Sequence, residues 1–184
     1  MALKRLKTFQ TELVHKNPYW EYWRDRYSLP GGNVGEYHFV RTPGSVMVVP
    51  VTHDGKLVMV KQFRYLWKTE SVEFPSGGVN APSFLTAAKN ELAEEAKLSA
   101  RNWKLVGKFN PFNGVTDEKC NVYVASELSP AEKGNDPSEE FEVMKMSPSE
   151  LRRRIEKMEI WDGMTLAAWC LAEKQVAKFT KGRQ

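Results

Sequence analysis

Glu73-Phe-Pro-Ser-Gly-Gly-Val-Asn-Ala-Pro-Ser-Phe-Leu-Thr-Ala-Ala-Lys-Asn-Glu-Leu-Ala-Glu-Glu-Ala-Lys-Leu98 is the stretch that decides the fold. It reads as the end of a strand, a Gly/Pro loop and then a helix. On a helix of 3.6 residues per turn, Leu85, Ala88, Leu92 and Ala96 fall on one apolar stripe. Glu91 and Glu95 are neighbours along the edge of that stripe, with Glu94 one step further out. Taken alone, such a face reads as solvated acidic surface. Set at the margin of a core and behind a glycine loop, it also reads as oxygen donors for a hard divalent cation.

Working outward, Ser45-Val-Met-Val-Val-Pro-Val51 and Lys56-Leu-Val-Met-Val-Lys-Gln-Phe63 are runs of the buried-strand type. His53-Asp54-Gly55 joins them as a hairpin turn. Ser71–Phe74 leads into the loop, and Trp103–Phe109 and Lys119–Ala125 read as strands after the helix. Glu127–Glu140 is polar and broken by Pro130, Gly134 and Pro137. Phe141–Met146 is a last short strand. Ser147-Pro148 then opens a helix with a capping hydroxyl and Pro at the first position. A C-terminal helix starts at Gly163. At the other end, Tyr19–Tyr27 and Gly35–Arg41 are dense in strand-forming aromatics between the breakers Asn17-Pro18 and Leu29-Pro30-Gly31-Gly32-Asn33. They predict a small antiparallel sheet too slight to stand alone.

The bulk numbers narrow the function. With 184 residues, 41% apolar and 27% charged, the chain has the composition of a globular protein with a proper core. No apolar run approaches the roughly 18 residues of a membrane span. Met-Ala-Leu-Lys-Arg-Leu-Lys-Thr lacks the apolar segment of a secretory signal. Cys120 and Cys170 offer neither a disulfide framework nor zinc spacing, so a cytoplasmic location is expected. A net charge of +4 suits a polyanionic small molecule, and there is no basic block dense enough for nucleic acid. His15, His38 and His53 are scattered and receive no role.

The Glu73–Leu98 segment resembles the Nudix hydrolase box, G-x5-E-x7-R-E-U-x-E-E-x-G-U with U aliphatic. Glu91, Leu92, Glu94, Glu95 and Leu98 fall on the pattern, and Gly77 or Gly78 supplies the leading glycine. Asn90 stands at the arginine and Lys97 at the second glycine. Gly77 is one residue too close to Glu91, which leaves Pro82 or Ser83 where the first glutamate belongs. Nothing at Lys97 breaks a helix, so the helix is expected to run through Leu98 and end near Ser99. Gln62-Phe-Arg-Tyr65, Glu73-Phe-Pro-Ser-Gly77 and Asn110-Pro-Phe-Asn-Gly-Val-Thr-Asp-Glu118 further resemble the ADP-ribose and nucleotide-sugar pyrophosphatase branch.

That resemblance implies an α/β fold, a Nudix-type α/β/α sandwich around a mixed sheet, in residues 45–184. Residues 1–44 would form a β-sheet appendage for dimerisation and base contacts. It implies a Mg²⁺- or Mn²⁺-dependent hydrolase that cleaves a nucleotide-sugar such as ADP-ribose or GDP-mannose, acting as a homodimer without nucleic acid or membrane. Metal ligands would be Glu91 and Glu95, with Glu94 and the Ser76 carbonyl beside them. Arg64 would bind phosphate. Glu73 would contact base or ribose or brace the loop, Trp20, Tyr37 and Arg41 would meet the substrate, and Glu118 would sit on the rim. Glu139 or Glu140, on a late loop, would be the general base, with Glu94 a further catalytic carboxylate. The rival reading, favoured by Asn90, Lys97 and the missing glutamate, is a catalytically weakened ligand sensor.

Overall fold

The computed structural model describes residues 5–131 and 140–181. The chain divides into two units, one running to Pro43 and taking in Asn110–Lys119, the other made of Gly44–Phe109 and the chain from Cys120 onward.

In the first unit, β1 (Lys7–Lys16), β2 (Glu21–Ser28) and β3 (Val34–Arg41) form an antiparallel sheet in that order. Asn17 shapes the first connection, its Oδ1 accepting from the Tyr19 and Trp20 N–H groups at 2.8 and 2.9 Å. Gly31 and Gly32, at φ of 85° and 83°, make the second. Period-two alternation gives the sheet two unlike faces. Glu12, Arg24 and His38 lie opposite one another across the strands, as do Gln10, Arg26 and Glu36. Arg24 reaches Glu12 at 2.6 Å and Arg26 reaches Glu36 at 2.8 Å, so this face is ionic. The other face carries Leu13, Trp23 and Phe39 in register. Sequence reasoning assigned no structure to residues 7–16, where Gln10, Glu12 and the flanking lysines interrupt the strand formers Thr8, Phe9, Thr11 and Val14. They pair because β2 offers an open edge.

The second unit is built on β4 (Ser45–Pro50), β5 (Leu57–Arg64), β6 (Thr69–Glu73), β7 (Ser76–Gly78), β8 (Leu98–Phe109), β9 (Cys120–Pro130) and β10 (Glu142–Met146), with helices α1 (Phe84–Ala96), α2 (Pro148–Glu156) and α3 (Gly163–Lys181). One sheet runs β7-β4-β9-β8, with β4 parallel to β9, and the other runs β10-β5-β6. β4 is buried along its whole length. Val46 and Val48 pack with Ala87, Ala88 and Leu92 of α1, while Met47 and Val49 pack with Leu151 of α2 and Trp169 of α3. Helices on both faces explain why β4 reads as an unbroken apolar run rather than an alternating one. The expected α/β arrangement, a mixed sheet between helices, is the observed one.

Two boundaries differ from expectation, and they share a cause. β8 begins at Leu98 rather than near Trp103, and β9 continues through Glu127–Pro130, read as part of a polar loop. The two extensions pair with each other, Leu98 opposite Pro130 and Ala100 opposite Leu128. Neither end carries a strong strand signal; each supplies the other's hydrogen bonds.

The expected helical run through Lys97 is not observed. α1 stops at Ala96, and Lys97 sits in the left-handed region at φ 56°, ψ 36°, its N–H bonded to the Leu92 carbonyl. The chain must leave the helix and enter β8 at the next residue. The left-handed turn does this, and the Lys97 carbonyl is taken by the Ala131 N–H at 3.0 Å. A Cβ in this conformation costs roughly 1–2 kcal/mol, borne here because the pairing of β8 with β9 requires the reversal. Lys97→Gly is therefore expected to exceed Lys97→Ala in stability by about 1 kcal/mol, measured by urea unfolding. Both variants lack the ammonium, so the comparison isolates the backbone.

Candidate active site

α1 and β7 hold the acidic residues together. Ser83 caps the helix, its Oγ accepting from the Thr86 N–H at 3.1 Å. α1 then lays Leu92, Glu95 and Ala96 on its buried face. Glu95 is only 6% exposed. Its Oε2 accepts from the Ser76 N–H at 2.9 Å, which ties the helix to the glycine strand. Glu91 lies one turn earlier, directly over Gly77. A Cβ built on Gly77 would stand 2.3–2.6 Å from the Glu91 carboxyl atoms. Gly77 is thus required by close approach, because any side chain would occupy the space of that carboxylate.

Beside this pair lies a second buried acid. Glu73 is 1% exposed and accepts from Arg64 Nε at 2.7 Å and from Arg64 Nη2. Gln62 Nε2 lies 3.4 Å from the same carboxylate. Burial withdraws the Glu73 side chain from solvent. Its carboxylate faces the guanidinium and not solvent, and it presets the planar fork of Arg64. Arg64 is 42% exposed, and its remaining N–H groups are available for a phosphate. The hydrogen bond from Glu73 raises the Arg64 pKa above its ordinary value, and the charges of Glu73, Asp162 and Glu95 reinforce it. One arginine therefore serves several carboxylates.

Among the described residues, no three Asp, Glu, His or Cys side chains are gathered closely enough to make a metal cluster by themselves. The fit to a divalent cation rests on fewer donors. Glu91 in the Gly77 cradle and Glu95 beside Ser76 offer hard carboxylate oxygens, and Mg²⁺ commonly takes only one or two carboxylates. Glu94, on the same helix, is half-buried.

Glu140 lines a cleft of about 260 Å³ with Lys61, Gln62, Phe63 and Glu70. Glu139 lies outside the described residues. In the first unit, Trp20 lines a cleft of about 300 Å³ with Lys16, Tyr19 and Arg41. Arg41 stacks over Trp23 at 4.5 Å and pairs with Asp117 at 3.3 Å. Tyr37 donates to the Gly114 carbonyl at 2.8 Å and lines a cleft of about 400 Å³ with Phe39, Asn110 and Asn113. Glu118 is half-buried, its carbonyl accepting from Asn110 Nδ2 at 2.8 Å.

Sequence reasoning missed Asp162 and Thr165. Asp162 Oδ2 accepts from the Thr165 N–H at 2.7 Å at the start of α3, and Thr165 Oγ1 accepts from the Phe74 N–H at 3.3 Å. The capping pattern is legible in Asp162-Gly-Met-Thr165. Its place near Arg64 is not.

With that geometry in view, comparison with known proteins is direct. Residues 41–168 match the NUDIX domain family model. The chain is 31% identical over 167 residues to an ADP-ribose pyrophosphatase of Bacillus subtilis (strain 168), covering 88% of this chain and 89% of that protein. It is 30% identical over 165 residues to a methanol dehydrogenase activator of Bacillus methanolicus, covering 88% and 89%. A crystal structure of an ADP compounds hydrolase superposes over 100% of both chains with a TM-score of 0.86 at 19% identity, a likeness of fold. A family match over most of the chain, joined to the glutamate-bearing helix against its glycine strand, establishes that the chain belongs to the Nudix hydrolase family, in the branch that includes the ADP-ribose pyrophosphatases.

Proposed function

We propose that this protein hydrolyses the diphosphate of a nucleoside diphosphate sugar, ADP-ribose or a close analogue, to a nucleoside monophosphate and a sugar phosphate. The observation that carries the proposal is the pair Glu91 and Glu95, one cradled on Gly77 and the other held by the Ser76 N–H. In the reaction, water attacks one phosphorus and the bond to the bridging oxygen breaks, that oxygen leaving with the other phosphate. Glu91 and Glu95, with Glu94 and the Ser76 carbonyl, would hold a Mg²⁺ or Mn²⁺ ion, which would supply Lewis-acid charge to the phosphate oxygens and acidify the attacking water. Arg64, set by Glu73, grips a phosphate of the diphosphate. Glu139 or Glu140 takes the proton; Glu140 shares a cleft with Gln62, whose amide faces Glu73.

The first unit supplies base and substrate contacts through Trp20, Tyr37 and Arg41, with Glu118 at the rim. It also carries the proposed homodimer contact. β1 is exposed from end to end, with Leu6, Phe9, Leu13 and Val14 between 43% and 55% exposed. None of the described helices is long and apolar enough to cross a membrane. Cys120 and Cys170 are free thiols, in keeping with the reducing cytoplasm we assign.

Three outcomes are expected. Glu95→Gln keeps an acceptor for the Ser76 N–H and removes a charge. Turnover of ADP-ribose at saturating Mg²⁺ should fall beyond the roughly 10–100-fold typical of losing an outer-shell partner, with a melting temperature within a few degrees of wild type. Turnover within a few-fold of wild type would falsify the assignment, and absent turnover in the wild type would favour a binding protein. Gly77→Ala pushes the Glu91 carboxylate aside and should weaken Mn²⁺ binding about tenfold by calorimetry; unchanged affinity would remove Glu91 from the metal site. Light scattering should return a dimer mass, and a chain lacking residues 1–44 should be insoluble or inactive. A stable, active monomer from that deletion would count against the dimer.

A further inference from the structure

Two residues carry the chain from one sheet of the second unit to the other. β6 ends at Glu73 and β7 starts at Ser76, so Phe74 and Pro75 form the link. Both are buried, and a buried backbone donor must find a partner. Proline has no N–H, which leaves the Phe74 amide as the link's single backbone donor. It donates to the hydroxyl of Thr165, 91 residues further on, at 3.3 Å. The Pro75 carbonyl accepts from the Val48 N–H of β4 at 2.8 Å. A core strand thus holds one end of the link, and a single side chain of α3 holds the other.

Thr165 is itself fixed. It is fully buried in the first turn of α3, and its N–H donates to Asp162 Oδ2 at 2.7 Å, the bond of a helix cap. The groups of the site hang on either side of the link. Upstream, Glu73 holds Arg64. Downstream, the Ser76 N–H holds Glu95 at 2.9 Å, and Gly77 cradles Glu91. A slip of the link would move these two sets of groups relative to each other.

Resting on the diphosphate reading above, we propose that Thr165 is a positioning residue for the reaction. By accepting from the Phe74 N–H it sets the spacing between the arginine that grips the diphosphate and the carboxylates that hold the metal. It acts through the link and not by contact with the reacting atoms. Without its hydroxyl the Phe74 N–H is buried and unpaired, a state costly enough to drive the link toward another acceptor. Glu73 and Ser76 move with it, and reacting groups misplaced by about an ångström can lose on the order of a hundredfold in rate.

The test is Thr165→Val in the full chain, which keeps the shape and removes the acceptor, beside Thr165→Ser, which keeps the acceptor. Val176→Ala, in the core further along α3, lowers the melting temperature without touching the link. By calorimetry, Thr165→Val should bind Mn²⁺ about tenfold more weakly, while Thr165→Ser and Val176→Ala stay near wild type. With Mg²⁺ and ADP-ribose both saturating, kcat of Thr165→Val should fall about tenfold or more and KM should move far less, because saturation refills the sites without restoring their spacing. If Thr165→Val does not fold, Thr165→Cys, whose sulfur is a weak acceptor, should weaken Mn²⁺ binding about threefold. Wild-type Mn²⁺ affinity in the variant that folds overturns the proposal. So does a Thr165→Ser variant that fails to restore it, or an equal loss in Val176→Ala, which would assign the effect to general loosening. A wild type that binds no Mn²⁺ overturns it as well. Weakened Mn²⁺ binding in Thr165→Val, with no diphosphate turned over by the wild type, would sink the catalytic reading alone. Turnover in the wild type, with Mn²⁺ affinity and kcat unmoved in Thr165→Val, would sink this one alone.

Discussion

Burying a carboxylate is costly unless a partner is buried with it, and this protein buries two close together. Glu73 and Glu95 are 1% and 6% exposed, and both lie in the field of Arg64. Much of the second unit's layout answers that demand. β5 and β6 pair so that Arg64 can reach Glu73. α1 is held against β7 so that Glu95 can use the Ser76 N–H. Arg64 and the buried acids are therefore parts of one charge arrangement, not separate features that happen to be near each other.

That coupling explains why the glycine strand matters more than its length suggests. β7 has three residues, pairs with the fully buried β4, and lets the Glu91 carboxylate lie on Gly77 where any Cβ would intrude. A strand anchored to the core holds a carboxylate more exactly than a free loop would. The departure at Lys97 weighs less in this light. Lys97 adopts the left-handed turn that a glycine would adopt, so the backbone is kept although the side chain is not.

The N-terminal sheet has a different logic. Its ionic face, with Arg24 and Arg26 between Glu12 and Glu36, gains little stability from each exposed pair. Those charges keep that face soluble. The other face carries Trp23 and Phe39 beneath Arg41. Asn110–Lys119 joins this unit through the Val40 N–H to the Val115 carbonyl at 2.8 Å and through Tyr37 to Gly114. Arg41 and Asp117, far apart in the chain, thereby become a pair.

The sequence by itself determined the elements whose signal is local. The buried run at Ser45–Pro50, the Ser147 cap and the glutamates at helical spacing are all written in neighbouring residues. A resemblance in the segments around them was enough to indicate the family. Tertiary structure alone decided what depends on two distant segments meeting. Lys97 looks helical until β8 must pair with β9. Residues 7–16 look shapeless until β2 offers an edge. Glu73 meets Arg64, and Thr165 meets Phe74, only once β5, β6 and the start of α3 are assembled. The physical reason is the same in each case: a hydrogen bond or a buried charge between strangers in sequence outweighs a local preference worth about 1 kcal/mol or less.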